Sequence, residues 1–249
     1  AAIPRWFVAP RGRALAIASL GFSLGEAILP LSFVALMVFV DWRILWILAA
    51  VIAVLGAPTL LVLLRSERTP QSMAQDNASL GMQLRHWTRA QTLRHPLFWF
   101  MFPALVGPSA FNTAFFFHQA HFADIKGLSH LSLVSLFPIY AVGAVVFLVL
   151  SGWALDRLGT ARLLPFYQLP LVFSFIIFAL GAGPSAFFFA FVMMAMTQGG
   201  NSTLINAFWA EFYGTAHLGS IKAMAAAIMV LGSAIGPAIT GLLIDFGVS

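Results

Sequence analysis

Apolar and polar positions fall into long blocks along the chain. Seven apolar runs stand out, at roughly 14–38, 43–64, 97–119, 132–153, 163–182, 185–207 and 223–244. Each has roughly the 20 residues that a helix needs to cross the hydrocarbon of a bilayer. Short polar breaks separate most of them: "DWR" at 41–43, "KGLSH" at 126–130 and "GAGPS" at 181–185. One gap is long: residues 65–95, "RSERTPQSMAQDNASLGMQLRHWTRAQTLRH", are polar and charged. The pattern predicts an all-α, polytopic membrane helical bundle with about seven transmembrane helices. Two spans lie in 1–64, a linker in 65–95 and five spans in 96–249. Within the linker, 79–92 is expected to form a short amphipathic surface helix.

Composition identifies the solvent. The chain is 61% hydrophobic and 8% charged, with 25 Phe and 7 Trp. Soluble domains sit near 45–50% apolar and about 25% charged, so the apolar surface here is expected to face lipid. Cysteine is absent, which removes disulfides and thiolate metal sites from consideration. The net charge of +5 invites a nucleic-acid partner, but the basic residues sit in the gaps between runs rather than on one face, and that reading is excluded. Residues 1–13 contain no apolar signal-peptide core and the chain does not start with Met, so a fragment or a processed product is expected.

The basic residues also set the orientation. With alternating spans, one side holds Arg5, Arg11, Arg13, Arg65, Arg68, Arg85, Arg89, Arg94, Arg157, Arg162 and Lys222, and the other only Arg43 and Lys126. The positive-inside rule then places the long linker in the cytoplasm. An internal repeat appears when the sequence is slid by 211 residues. Arg11 falls on Lys222, Leu20 on Leu231, Gly21 on Gly232, Gly25 on Gly236 and Ile28 on Ile239. Glycines four apart line one helix face and let a second backbone come close. The first and seventh runs are therefore expected to be equivalent members of two parallel halves, a transporter signature.

The stretch "GWALDRLGTAR" at 152–162 resembles the Gly-x-Leu-Ala-Asp-Arg-x-Gly-Arg-Arg loop of the major facilitator superfamily. Gly152, Asp156, Arg157 and Gly159 match in spacing, while the final basic pair is reduced to Arg162. "PRWFVAPRGRALAIASLG" resembles the start of that family's fifth helix, "DWR" the start of its sixth, and "GSAIGPAITG" at 232–241 its Gly-x-x-x-Gly-Pro motif. The tail of "AFWAEFYGTAHLGSIKAM" resembles its connection between the tenth and eleventh helices. The resemblance spans the whole chain and implies family helices 5 to 11, with four helices before Ala1 and one after Ser249 on the same polypeptide. It makes 1–64 the end of an N-terminal half and 96–249 most of a C-terminal half. It also implies a gating role for the 152–162 loop, against the simpler reading of Asp156 and Arg157 as a solvated surface pair. "WF…RGRA" and "FFHQAHFADIKGLS" resemble the oxalate/formate- and monocarboxylate-type branches.

Candidate chemistry is sparse. Glu26 lies mid-run, where a charge costs on the order of 2.5–3.5 kcal/mol. It is either a proton-coupling or substrate-contacting acid, or a neutral acid bonded across a helix contact beside Gly21 and Gly25. The repeat puts Pro237 in its place. Asn112, His118 and Gln119 are transport or coupling candidates in the third run, with Asn112 the deepest. His118 and His121 share a helix face near Asp124, but no carboxylate or thiolate recurs at ligand spacing, and no metal is expected. In "TQGGNSTLIN" the residues Gln198, Asn201 and Ser202 share one broad face, either lining a cavity or bonding between helices. Gln168 and Tyr140 are expected to pack, and Phe115–Phe117 and Phe187–Phe189 to face lipid. Gly21, Gly25, Gly232, Gly236, Pro237 and Gly241 form the expected helix-packing motif.

No catalytic constellation and no nucleotide-binding loop occurs, so no enzyme and no cofactor is expected. The expected function is secondary active transport of a small solute, an organic anion or monocarboxylate, by alternating access. Protons are expected as the coupling partner, the bilayer as the surrounding, and a plasma or bacterial inner membrane as the location. No Arg or Lys lies buried in the seven runs to pair with a carboxylate, so an uncharged substrate stays open. The alternatives are a seven-helix receptor or an integral-membrane enzyme. The charge bias opposes the receptor, and the last run has no central Lys for a retinal Schiff base.

Overall fold

In the computed structural model, residues 41–65 and 79–247 are described throughout, with positions 17, 21, 25, 28, 29, 32, 33, 35–37, 39 and 40. Glu26 lies outside the described residues. The described residues form helices and no strands. In chain order these are α1 (Trp42–Arg65), a 3₁₀ turn (Met82–Leu84), α2 (Arg89–Arg94), α3 (Pro96–Phe100) and α4 (Phe102–Phe117). There follow α5 (Gln119–Ile125), α6 (His130–Val134), α7 (Phe137–Leu158), α8 (Thr160–Leu163), α9 (Leu169–Leu180), α10 (Gly183–Tyr213) and α11 (Leu218–Asp245).

Local chemistry sets the boundaries. Asp41 starts α1, its Oδ1 accepting from the Arg43 N–H at 2.8 Å. Thr88 caps α2 in a reciprocal box with Gln91. Prolines enter the first turns of α3, α4, α7, α9 and α10, where a missing N–H costs nothing. Gly159 and Gly214 follow the last residues of α7 and α10 with φ of 78° and 76°, a conformation that favours glycine. Lys126 Nζ donates to the Ala179 carbonyl at 2.6 Å, placing a cation at the C-terminus of α9.

By length and composition, three helical stretches among the described residues can cross a membrane: Pro96–Phe117, Ser132–Leu158 and Leu218–Asp245. Trp42–Pro58 and Leu169–Leu180 are shorter apolar helices. Away from its contact with α4, Leu218–Asp245 leaves Val230, Leu231, Ile239 and Leu242 exposed. Apolar surface on this scale belongs in lipid. At 31 residues, α10 is about 46 Å long and outreaches a hydrocarbon core of about 30 Å.

α4 packs along α11, while α7 and α9 both pack along α10. Small residues set these distances. A Cβ at Gly236 would run into the backbone of Ala110, and one at Gly232 would sit 2.8 Å from Ser109 Oγ and 3.2 Å from the Val106 carbonyl. On the other pair, a Cβ at Gly199 would strike the backbone at Phe147 and Leu148. Gly21 meets nothing within 4 Å and Gly25 only Leu29 at 3.8 Å, so the two copies of the repeat differ among the described residues.

Two apolar clusters close the bundle at opposite ends. At the linker end, Trp87, Phe98, Met101, Phe208, Trp209, Tyr213 and Leu218 pack together. At the far end, Phe115, Leu133, Phe178, Phe187, Phe191 and Met194 do so. Phe115 and Phe187 are thus core residues rather than lipid-facing bulk, while Phe117 and Phe189 are exposed. Consecutive helical residues point about 100° apart, so a run of three phenylalanines on a packed helix turns one of them inward.

The stretch 79–92 is not one amphipathic helix. It contains the 3₁₀ turn, with positive φ at Gln83 and Leu84, then extended backbone and the start of α2. Left-handed backbone at Gln83 and Leu84 interrupts the helix, and the Trp87 N–H bonds outside the segment, to the Tyr213 carbonyl.

Candidate functional site

The ring centroids of Phe115 on α4 and Phe191 on α10 lie 5.7 Å apart, which relates the levels of the two helices at that point. From there towards the linker end, Asn112 lies about 4.5 Å deeper on α4, and Thr197 and Asn201 about 9 and 15 Å deeper on α10. All three fall between the two apolar clusters. Asn112 and Thr197 are buried. Asn112 Oδ1, Thr197 Oγ1 and Asn201 Oδ1 are shielded from solvent and have no hydrogen-bond partner among the described residues. Such groups are costly unless something satisfies them, and a polar ligand entering between the helices would do so.

The remaining polar residues of α10 act differently. Ser202 Oγ donates to the Gln198 carbonyl at 3.2 Å and Asn206 Nδ2 to the Ser202 carbonyl at 2.7 Å, both within the helix. Gln198 is half-buried beside them. Ser174 of α9 donates to the Ala190 carbonyl at 2.8 Å and ties α9 to α10.

His118 is drawn to another helix. Its Nε2 lies 3.0 Å from the Pro237 carbonyl, and a carbonyl only accepts, so Nε2 carries a proton. Gly241, one turn on, faces the imidazole, its added Cβ meeting Cε1 at 3.5 Å. His118 therefore ties α4 to α11 beside the packing glycines. Gln119 Oε1 and His121 Nε2 are shielded and have no partner among the described residues. Among the described residues, no group of His, Asp and Glu could hold a metal ion.

Pro108 inside α4 has no N–H, which leaves the Ala104 carbonyl without its helical donor. Tyr167 OH donates to it at 2.8 Å and Gln168 Nε2 at 3.0 Å. The expected packing role of Gln168 thus has a particular form, the repair of a proline break in a neighbouring helix.

The loop resembling the family motif turns at the linker end. Gly152 is buried in α7, Arg157 stacks its guanidinium 4.3 Å from the Trp153 ring, and Gly159 turns the chain. Arg162 is exposed. The buried Thr160 follows, its Oγ1 donating to Glu211 Oε2 of α10 at 2.6 Å. This charge-assisted bond fastens the α7–α8 corner to α10. Neither Thr160 nor Glu211 stands out in the sequence. They are 51 residues apart and only the pairing of α7 with α10 brings them together.

No curated protein matches the chain. The profile described as Major Facilitator Superfamily matches residues 1–237, nearly the whole length. That match and the exposed apolar helices agree with the glycine-spaced pairs: the chain belongs to the Major Facilitator Superfamily, membrane transporters of small solutes.

Proposed function

We propose that the chain is part of a secondary active transporter working by alternating access, with the linker end in the cytoplasm. The observation that carries this reading is that Asn112, Thr197 and Asn201, at depths between two apolar clusters, each hold a shielded oxygen with no hydrogen-bond partner among the described residues. A solute site needs polar groups at depth, and these three have no partner among the described residues. The five runs from 97 onward contain no Asp, Glu, Lys or Arg. In these runs this half therefore offers a solute amide and hydroxyl groups and the His118 imidazole, without a fixed charge. An organic anion would have its charge met elsewhere on the polypeptide, and an uncharged hydrogen-bonding solute needs nothing more here. Glu26, the one carboxylate inside a run, is the coupling residue in this reading, with protons as the driving ion. Glycine-welded helix pairs supply the rigid blocks that such rocking needs.

The test uses the full polypeptide in proteoliposomes, with a mixture of metabolites outside and mass spectrometry of the lumen. Once the solute is known, Asn112→Leu and Asn201→Leu are expected to lower its uptake about tenfold or more, in line with about 1–3 kcal/mol for a lost buried hydrogen bond. Circular dichroism and elution volume should stay unchanged. Full uptake by both variants would remove Asn112 and Asn201 from the solute path.

A further inference from the structure

The last part of the linker is built into the bundle. Gly81 N–H donates to the Arg85 carbonyl at 3.0 Å and closes a tight loop, with left-handed backbone at Gln83 and Leu84. This loop lies against the turn after α10. The Trp87 N–H donates to the Tyr213 carbonyl and the Thr215 N–H to the Ser79 carbonyl, both at 3.1 Å. The two glycines meet backbone to backbone. A Cβ at Gly81 would sit 2.5 Å from Gly214 N and from the Phe212 carbonyl oxygen, and one at Gly214 would sit 2.8 Å from His86 Nδ1.

Trp87 is the key of the arrangement. It is 3% exposed, its indole N–H donates to the Met82 carbonyl at 3.1 Å, and Arg85 lies 3.9 Å over its ring. Its ring meets Tyr213 at 5.7 Å, at the end of α10, and His95 at 4.8 Å, the cap of α3. Thr215, on the opposite side, accepts from the Leu218 N–H at the start of α11. One short segment therefore touches the linker-end termini of α3 and α10 and reaches the start of α11 through Thr215.

We propose that residues 79–88 form a three-way clasp that fixes these termini as one mechanical unit, so that force arriving along the linker acts on the unit as a whole. Its mechanical consequence rests on the transporter reading; the clasp itself does not. The alternative is a latch that opens in each cycle. The burial of Trp87 and the glycine-to-glycine backbone contact favour the permanent joint, because opening would expose the indole and the Tyr213 ring together.

The first test is hydrogen exchange of the full polypeptide in lipid nanodiscs, read at single amides. Trp87 and Thr215 are expected to exchange slowly and at a common rate. Gly81→Ala is expected to speed both more than tenfold together, while Gly219→Ala, whose added Cβ meets nothing within 4 Å, leaves them unchanged. Fast exchange at either amide, or a change at only one of them in Gly81→Ala, overturns the clasp. These results hold whether or not any solute moves.

A second test covers the case in which Gly81→Ala fails to fold. This chain has no cysteine, so Ser79→Cys with Thr215→Cys adds a single bridge to it. With the solute found for the parent protein, the bridged form is expected to transport at the parent rate. Transport lost on oxidation and restored by reductant would show a latch and overturn the permanent joint.

Discussion

Alanine in place of Gly236 is expected to lower the stability of the bundle by about 1–3 kcal/mol, the range for forcing a methyl group into a filled contact. The new Cβ would run into the backbone of Ala110, and backbone on both sides leaves no flexible side chain to move aside. α11 would have to lift off α4, and the contact of His118 with the Pro237 carbonyl would go with it. Gly199→Ala is expected to behave alike on the other pair, against the backbone at Leu148. Gly241→Ala is the control, since its Cβ would meet only the His118 ring at 3.5 Å, an ordinary contact. Thermal unfolding in detergent checks this: clear drops for Gly236→Ala and Gly199→Ala, with Gly241→Ala close to the parent. Equal midpoints for all three would mean that the glycines do not set the helix distances.

Thr160→Val is expected to have the second large effect. Valine keeps the shape and removes the donor, so Glu211 loses a 2.6 Å charge-assisted bond from a buried partner. Hydrogen bonds to charged groups contribute about 1.5–3 kcal/mol, enough to shift an equilibrium ten- to a hundredfold. The shift should favour states in which the α7–α8 corner leaves α10. Its signature is faster hydrogen exchange at Leu164, whose N–H is held by the Thr160 carbonyl, with the amides in the middle of α10 unchanged. Thr160→Ser retains the hydroxyl and should exchange like the parent. If valine and serine behave the same, the bond to Glu211 is not what holds the corner.

The expected all-helical membrane fold was legible because a bilayer imposes one requirement that sequence alone reveals, about 20 apolar residues in a row. The family was legible for a related reason: Gly152, Asp156, Arg157 and Gly159 are a local pattern at fixed spacing. What escaped depends on which helices become neighbours. Phe115 and Phe187 read as lipid-facing because hydrophobicity does not say which of three adjacent rings turns inward. The donors at the Ala104 carbonyl come from 63 and 64 residues away, so Pro108 announces an orphan carbonyl but not who satisfies it. Thr197 does not stand out beside Gln198 in the sequence, yet it is fully buried and its hydroxyl has no partner among the described residues. The 79–92 segment reads as a helix because its periodicity is amphipathic, while its Trp87 N–H and Ser79 carbonyl bond to Tyr213 and Thr215, more than a hundred residues later.

In the proposed function, an ion moving down its gradient drives the solute across the membrane. The most direct measurement is solute accumulation by the purified full polypeptide in proteoliposomes, with and without an imposed proton gradient. The account predicts accumulation of at least one small solute above its outside concentration when the gradient is present, collapsing when a protonophore is added. Solute movement that only equalises the two sides, gradient or no gradient, would contradict it.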